Sequence, residues 1–268
     1  MAGTSALAPL GSANLRRVRG VFTDVDGTLT TGGLLRASTL RALERLHQAG
    51  LPVVLVSGRP SGYAEAWLRT LPVAGVIAEN GGLYLVRTGT GRLRKVYAQP
   101  RLVRARSRRR LVRAVAAALR AVPGARLSTD SRFAEVDLAV DYNEEVKLGE
   151  RGAERLESFL RSRGVHAVRS SVHVNAWVGS FNKARMVRRF LRQEWGASVR
   201  TTQQAFLYVG DSFNDAPLFA AFHLSIGVAN IRAIVDKLSA RPRYVTRAAE
   251  GRGFEEVARA LLQQRARR

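Results

Sequence analysis

The chain has no cysteine, which excludes disulfides and thiolate metal sites without identifying a compartment. It has no apolar run long enough to span a bilayer. The opening segment MAGTSALAPLGSANLRRVRG has no apolar stretch ahead of a cleavage site, so it does not read as a secretory signal. A cytoplasmic protein with no membrane association is the default expectation. Histidine is scarce, and His47, His166, His173 and His223 lack metal-ligand spacing. Acids are few, 21 against 44 basic residues, for a formal net charge of +23. Lysine is rarer still: only Lys95, Lys147, Lys183 and Lys237, the other forty basic residues being arginine. What is present is apolar bulk, 46% of 268 residues, enough for one large globular domain or a core with an insert.

A field of that sign attracts anions, from phosphorylated metabolites to nucleic acid. Residues 101–113, RLVRARSRRRLVR, hold seven arginines and no acid. Leu102, Val103, Leu111 and Val112 interrupt the run, as on the solvated side of an amphipathic helix, and interleaved aromatics for single-strand binding are missing. No recognition module accompanies the charge, and an arginine-over-lysine bias also arises from a GC-rich genome. The sequence is therefore read as not binding nucleic acid.

Apolar runs and helical patterns alternate at the start. Leu40, Leu43 and Leu46 share a helix face between a Ser38 cap and a Gly50 stop. LPVVLVS (51–57) and VAGVIAEN (73–80) read as buried strands, with a short helix over 62–70 between them. This β-α-β-α-β opening predicts a parallel sheet. The middle differs. Leu83–Val86 and Leu93–Tyr97 flank TGTGR as a hairpin. A helix from about Arg104 to Val122, an alternating strand over 133–142, a helix near Arg151–Arg163 and strands at 165–168 and 172–178 follow. The α/β rhythm resumes with a helix near 182–195, AFLYVGD (205–211), a helix near 215–222 and LSIGVAN (224–230). The expectation is a Rossmann-like three-layer α/β core, residues 1–83 and 181–268 with 1–18 flexible, and an inserted α+β cap over 84–180.

Chemistry gathers at strand ends. VFTDVDGTLT ends an apolar run with Asp24 and Asp26, two residues apart and so on one face of a strand. Two acids so placed repel unless a cation sits between them, and a hard, oxygen-seeking cation such as Mg²⁺ suits them. One acid is then free to attack a phosphoryl group. The alternative is an Asp-Gly turn closing a hairpin. Ser57 and Asp211 also end apolar strands, where open parallel sheets bind ligands. Lys183 begins a helix, and GDSFNDAPLF adds Asn214 and Asp215. Against these readings, Ser57 could simply cap its turn, Lys183 could be solvated, and Asn214 and Asp215 could only cap a helix. Arg59, Asn80, and His173 with Asn175 on one face of a cap strand are further candidates for substrate contact.

The four ordered motifs DVDGT, VSGRP, the lysine of FNKAR, and GDSFNDAP make the sequence resemble the haloacid dehalogenase superfamily of aspartate-nucleophile phosphatases over residues 20–250. An insert between the second and third motifs is similar to subfamily IIB, with its Cof-type, sucrose, trehalose and mannosyl-3-phosphoglycerate phosphatases and its phosphomannomutases. The resemblance implies Asp24 as nucleophile, Asp26 as general acid and base, and Lys183 as electrostatic stabiliser. It implies Ser57, Gly58 and Lys183 around the phosphate, with Arg59, Asn80 and Asn214 as weaker substrate contacts. Mg²⁺ would be held by Asp24, the backbone carbonyl of Asp26, and Asp211, with Asp215 behind. The expected partner is a small phosphorylated metabolite, a sugar phosphate or phosphoglycerate glycoside. The alternatives are a phosphohexomutase and a non-catalytic anion or nucleic-acid binder. Oligomeric state is not legible.

Overall fold

The computed structural model describes residues 7–170, 172–198, 201 and 204–266. Its strands run in chain order as β1 (Ala8–Pro9), β2 (Gly20–Thr23), β3 (Val53–Val56), β4 (Gly75–Ala78), β5 (Leu83–Arg87) and β6 (Leu93–Tyr97). There follow β7 (Arg126–Leu127), β8 (Leu138–Asp141), β9 (His166–Arg169), β10 (His173–Trp177), β11 (Phe206–Gly210), β12 (Leu224–Gly227) and β13 (Tyr244–Val245). The helices are α1 (Ala37–Gln48), α2 (Ser61–Thr70), α3 (Arg101–Ala121), α4 (Gly149–Ser162), α5 (Lys183–Trp195), α6 (Ala216–Ala221) and α7 (Glu250–Ala266). No helix among the described residues is long and apolar enough to cross a membrane. By internal contacts the chain divides into residues 1–55, 71–74 and 190–268, and residues 56–70 and 75–189.

The first unit is built on strands in the order β1-β13-β12-β11-β2-β3, every pairing parallel. Strands covered on both faces must be apolar throughout, and Val21, Phe22, Val53, Val54, Leu207 and Val209 are all buried. Phe22 meets Phe190, Trp195, Phe206 and Phe222 with ring centroids 5.6–6.2 Å apart. Burying each such ring contributes about 1.5–3 kcal/mol. From β2 the chain steps to β3 on one side, whereas β11, β12 and β13 step away on the other. The strand order therefore reverses between β2 and β11, and a reversal opens a crevice at the carboxyl ends of the two strands. Residues 8–18, expected to be flexible, are packed instead. Leu10, Ala13, Leu15 and Val18 are buried, and Gln264 clamps the segment through Leu15 N–H and the Ala13 carbonyl.

In the second unit the hairpin β5–β6 pairs antiparallel with β4. The sequence reading placed this hairpin in the cap; its ladder joins it to β4 instead. The inserted module is the antiparallel sheet β7-β8-β10-β9. Helices α3 and α4 bury Leu111, Val115, Leu156 and Leu160 in one apolar cluster with Val140 and Val174 of the sheet.

The strand expected over 133–142 survives only as β8. Residues 129–133 form a 3-10 turn, and the backbone N–H groups of Glu135, Val136 and Asp137 donate to the Glu79 carboxylate at 2.5–3.1 Å, leaving them no ladder to join. Glu79 also accepts Ser61 N–H at 2.9 Å, so one buried acid ties the start of α2 to the approach to β8. Burial pushes the Glu79 carboxyl up, opposed by these donors. Truncation orphans four donors at once. Glu79→Ala should lower unfolding stability by about 3 kcal/mol or more in urea melts, and Glu79→Gln by less. A change within about 0.5 kcal/mol would show that the carboxylate does not organise this segment.

Candidate active site

Asp24 follows β2 and Asp211 follows β11, so the strand reversal brings their carboxylates together. Asp215, four residues past Asp211, completes a group whose ligand oxygens all lie within 4.8 Å of one another. All three acids are buried. Two flanking side chains aim Asp211: Thr28 Oγ1 donates to Oδ1 at 2.9 Å, and Asn230 Nδ2 donates to Oδ2 at 2.9 Å and to the Gly27 carbonyl at 3.1 Å. Gly27 is held at φ +77°, and a Cβ there would lie 2.4 Å from Asp211 Oδ2. The glycine of the DGT motif is thus required twice, by backbone conformation and by the carboxylate above it.

Asp215 is occupied differently. Its Oδ1 accepts Tyr208 O–H at 2.6 Å, and its Oδ2 accepts the N–H groups of Asp211 and Ser212 and the Ser212 hydroxyl at 3.0–3.1 Å. It caps the short turn that carries Asn214, whose Oδ1 accepts the Ser212 hydroxyl at 2.6 Å. Burial, followed by the charges of Asp215, Asp24 and Asp211, drives the Tyr208 phenol well above its ordinary value. An acid with both oxygens so engaged supports the site from behind better than it ligates an ion. Asp26 is half-buried, and its carboxylate is not one of the three in the group. A set of all-oxygen donors fits a hard divalent cation such as Mg²⁺.

The second unit gathers the other predicted residues. Ser57 is buried; its N–H donates to the Ile77 carbonyl and its Oγ accepts Arg59 N–H at 3.0 Å. Asn80 N–H donates to the Ser57 carbonyl, and Asn80 Nδ2 donates to Asp137 Oδ2 at 2.8 Å. A Cβ on Gly58 would stand 3.1–3.2 Å from the amides of Asn80 and Asn175. Gly81, at φ +91°, lets this loop approach the start of α5 so closely that a Cβ would fall 2.3 Å from the Asn182 carbonyl. Asn182 caps α5 by accepting Arg185 N–H at 2.8 Å, and Lys183 is the buried first residue of that helix.

Arg59 is enclosed rather than open. Its guanidinium meets Asp130 at 3.0 Å and Glu144 at 2.6 Å, and His173 Nε2 lies 2.8 Å from Glu144. His173 beside it, then Arg59 against the opposing effect of burial, pulls the Glu144 carboxyl down to about 2. Asn175 is 1% exposed, and its Oδ1 has no hydrogen-bond partner among the described residues. Sequence reading missed Thr28, Asn230, Tyr208, Asp130 and Glu144. The signal for Asn230 was present, a polar residue two positions past the apolar run LSIGV, but no motif marked it.

A family model described as haloacid dehalogenase-like hydrolase matches residues 21–95. A phosphoglycolate phosphatase of Archaeoglobus fulgidus is 27% identical over 242 residues, 89% of this chain and 95% of that protein. A phosphoglycolate phosphatase of Methanothermobacter thermautotrophicus is 25% identical over 251 residues, 91% of this chain and 99% of that one. In fold, the trehalose-6-phosphate phosphatase C-terminal domain of C. albicans aligns with a TM-score of 0.73 at 16% identity, covering 97% of this chain and 99% of that one. The sucrose-phosphatase of Synechocystis sp. PCC6803 aligns at 0.63 and 15%, covering 92% and 98%.

Three buried carboxylates in mutual reach should make the metal-free protein self-repelling and cation-responsive. In thermal melts, saturating Mg²⁺ should raise the wild-type midpoint, a gain of about 2.7 kcal/mol at a hundredfold excess over Kd. Asp24→Asn should melt higher than wild type in EDTA, by about 1 kcal/mol, and respond less to Mg²⁺. Gly27→Ala should lose the response by displacing Asp211. An equal Mg²⁺ shift in all three proteins would place the cation elsewhere.

Proposed function

We propose that this chain, a member of the haloacid dehalogenase-like hydrolases, is a Mg²⁺-dependent phosphatase that cleaves a small phosphorylated metabolite through an aspartyl-phosphate. The observation that carries the reading is the buried group of Asp24, Asp211 and Asp215 at the strand reversal. The carboxylate of Asp24 attacks phosphorus in line, forming an acyl-phosphate bond as the bond from phosphorus to the leaving oxygen breaks. Asp26, protonated, delivers its proton to that oxygen and releases an alcohol. The carboxylate of Asp26 then takes a proton from water, whose oxygen attacks the phosphorus. Inorganic phosphate leaves and Asp24 is regenerated.

Ser57, with the Gly58 backbone, hydrogen-bonds a phosphoryl oxygen, and Lys183 offsets charge on Asp24 and the phosphoryl group in the transition state. Asp24, Asp211 and the Asp26 carbonyl would hold the cation, with Asp215 fixing the loop beneath. Bound there, Mg²⁺ supplies positive charge between two mutually repelling anions.

For the leaving group, the enclosure of Arg59 supports a sugar phosphate over a carboxylate-bearing phosphate. Its charge is already met by Asp130 and Glu144, and the amides of Asn80 and Asn175 nearby suit hydroxyl groups. The relatives named for phosphoglycolate make that compound the sharpest competitor.

The test is phosphate release from sugar phosphates, phosphoglycolate, phosphoglycerate glycosides and nucleotides, with Mg²⁺ or EDTA. Turnover should require Mg²⁺ and fall about a thousandfold or more in Asp24→Asn. Activity that survives Asp24→Asn would sink the mechanism. Preference for phosphoglycolate over every sugar phosphate would sink the leaving-group reading alone.

A further inference from the structure

Helix α3 stands apart from the other helices in its charge. Over Arg101–Ala121 it holds eight arginines and no acid, whereas each other helix that carries arginine also carries glutamate. A compositional bias toward arginine explains the number but not the missing acids.

The eight arginines separate into two groups. Arg104 lies over the Tyr97 ring at 3.2 Å, Arg108 Nη1 donates to the Asp137 carbonyl, and Arg110 Nη2 donates to the Gly164 carbonyl at 2.8 Å. These three fasten the helix to its own unit. Arg101, Arg106, Arg109, Arg113 and Arg120 are exposed, and among the described residues no hydrogen bond, ion pair or ring contact engages them. At about 100° per residue, Arg106, Arg109, Arg113 and Arg120 fall within about 60° of one another, opposite the buried Leu111, Ala114, Val115 and Ala118. They form one straight row about 21 Å long.

We propose that this row is a docking surface for the phosphate backbone of double-stranded nucleic acid, read without regard to sequence. Charge complementarity is the argument: four exposed guanidinium groups on a rigid rod, with no carboxylate on the rod to repel phosphate. A lipid surface is disfavoured because the row carries a single large apolar residue, Leu102; Val103 and Val112 point to either side of it. Single strands are disfavoured because the row holds no aromatic on which bases could stack. The proposal does not depend on the phosphatase reading.

The experiment is fluorescence anisotropy with a short labelled DNA duplex over a salt series. The four-site variant Arg106→Ala, Arg109→Ala, Arg113→Ala, Arg120→Ala is compared with wild type and with a charge-matched control, Arg41→Ala, Arg45→Ala, Arg252→Ala, Arg259→Ala. Wild type should bind with an affinity that falls steeply with salt. The α3 variant should bind at least tenfold more weakly, with the log–log salt slope flattened by about 3 to 4. The control should keep most of its affinity, and lysine at the four α3 positions should restore binding. No duplex binding by wild type, or equal losses in the α3 and control variants, would overturn the proposal. So would stronger binding to vesicles of anionic lipid than to duplex.

Discussion

Three carboxylates buried within reach of one another cannot all keep their charge unaided, and the first unit is arranged around that constraint. The reversal of strand order between β2 and β11 creates it, by ending two adjacent parallel strands with aspartate. Asp215 escapes by spending both oxygens on Tyr208, Ser212 and two backbone N–H groups. Asp211 is steadied by Thr28 and Asn230 on one oxygen each. Carboxylates held this close repel one another, so the Asp24–Asp211 pair favours positive charge beside it. A cation bound there would meet an Asp211 already held by Thr28 and Asn230.

The second unit meets the same problem by other means. Glu79 keeps its buried carboxyl by collecting backbone N–H groups from two segments, and Glu144 keeps its charge through His173 and Arg59. Neither solution leaves a carboxylate seeking a cation. Burial of an acid is thus a weak guide to function. What distinguishes Asp24 and Asp211 is how close the carboxylates from two adjacent strand ends stand to one another.

Much of this was legible in the primary structure because the catalytic motifs sit at the ends of apolar runs, and the runs became strands almost where periodicity put them. Asp24, Asp211 and Asp215 are grouped as the motifs imply. The exact service of Asp215 was hidden, since its partners Tyr208 and Ser212 lie on a strand and a loop whose meeting depends on a 3-10 turn. Thr28 and Asn230 were hidden for a related reason: 202 residues separate them, and only the strand order makes them neighbours of one carboxylate. The alternating run over 133–142 misled because period-2 apolarity records which side chains are buried, not which backbone groups are free to pair. Glu79 had already taken the donors.

Arginine shows how little composition decides. The same residue is enclosed between two acids at Arg59, stacked on a ring at Arg104 and exposed along the outer row of α3. A guanidinium closed in by carboxylates has its charge largely met within the protein, as at Arg59. A guanidinium with no carboxylate nearby presents its full charge to whatever approaches. The net charge of +23 is therefore not spread as a uniform field over the chain. It is cancelled locally between Arg69 and Glu65 on α2 and between Arg161 and Glu157 on α4. Along α3, which holds no acid, no such pair occurs among the described residues. The anion-attracting property that the composition assigns to the whole chain concentrates on the one long helix that lacks acids.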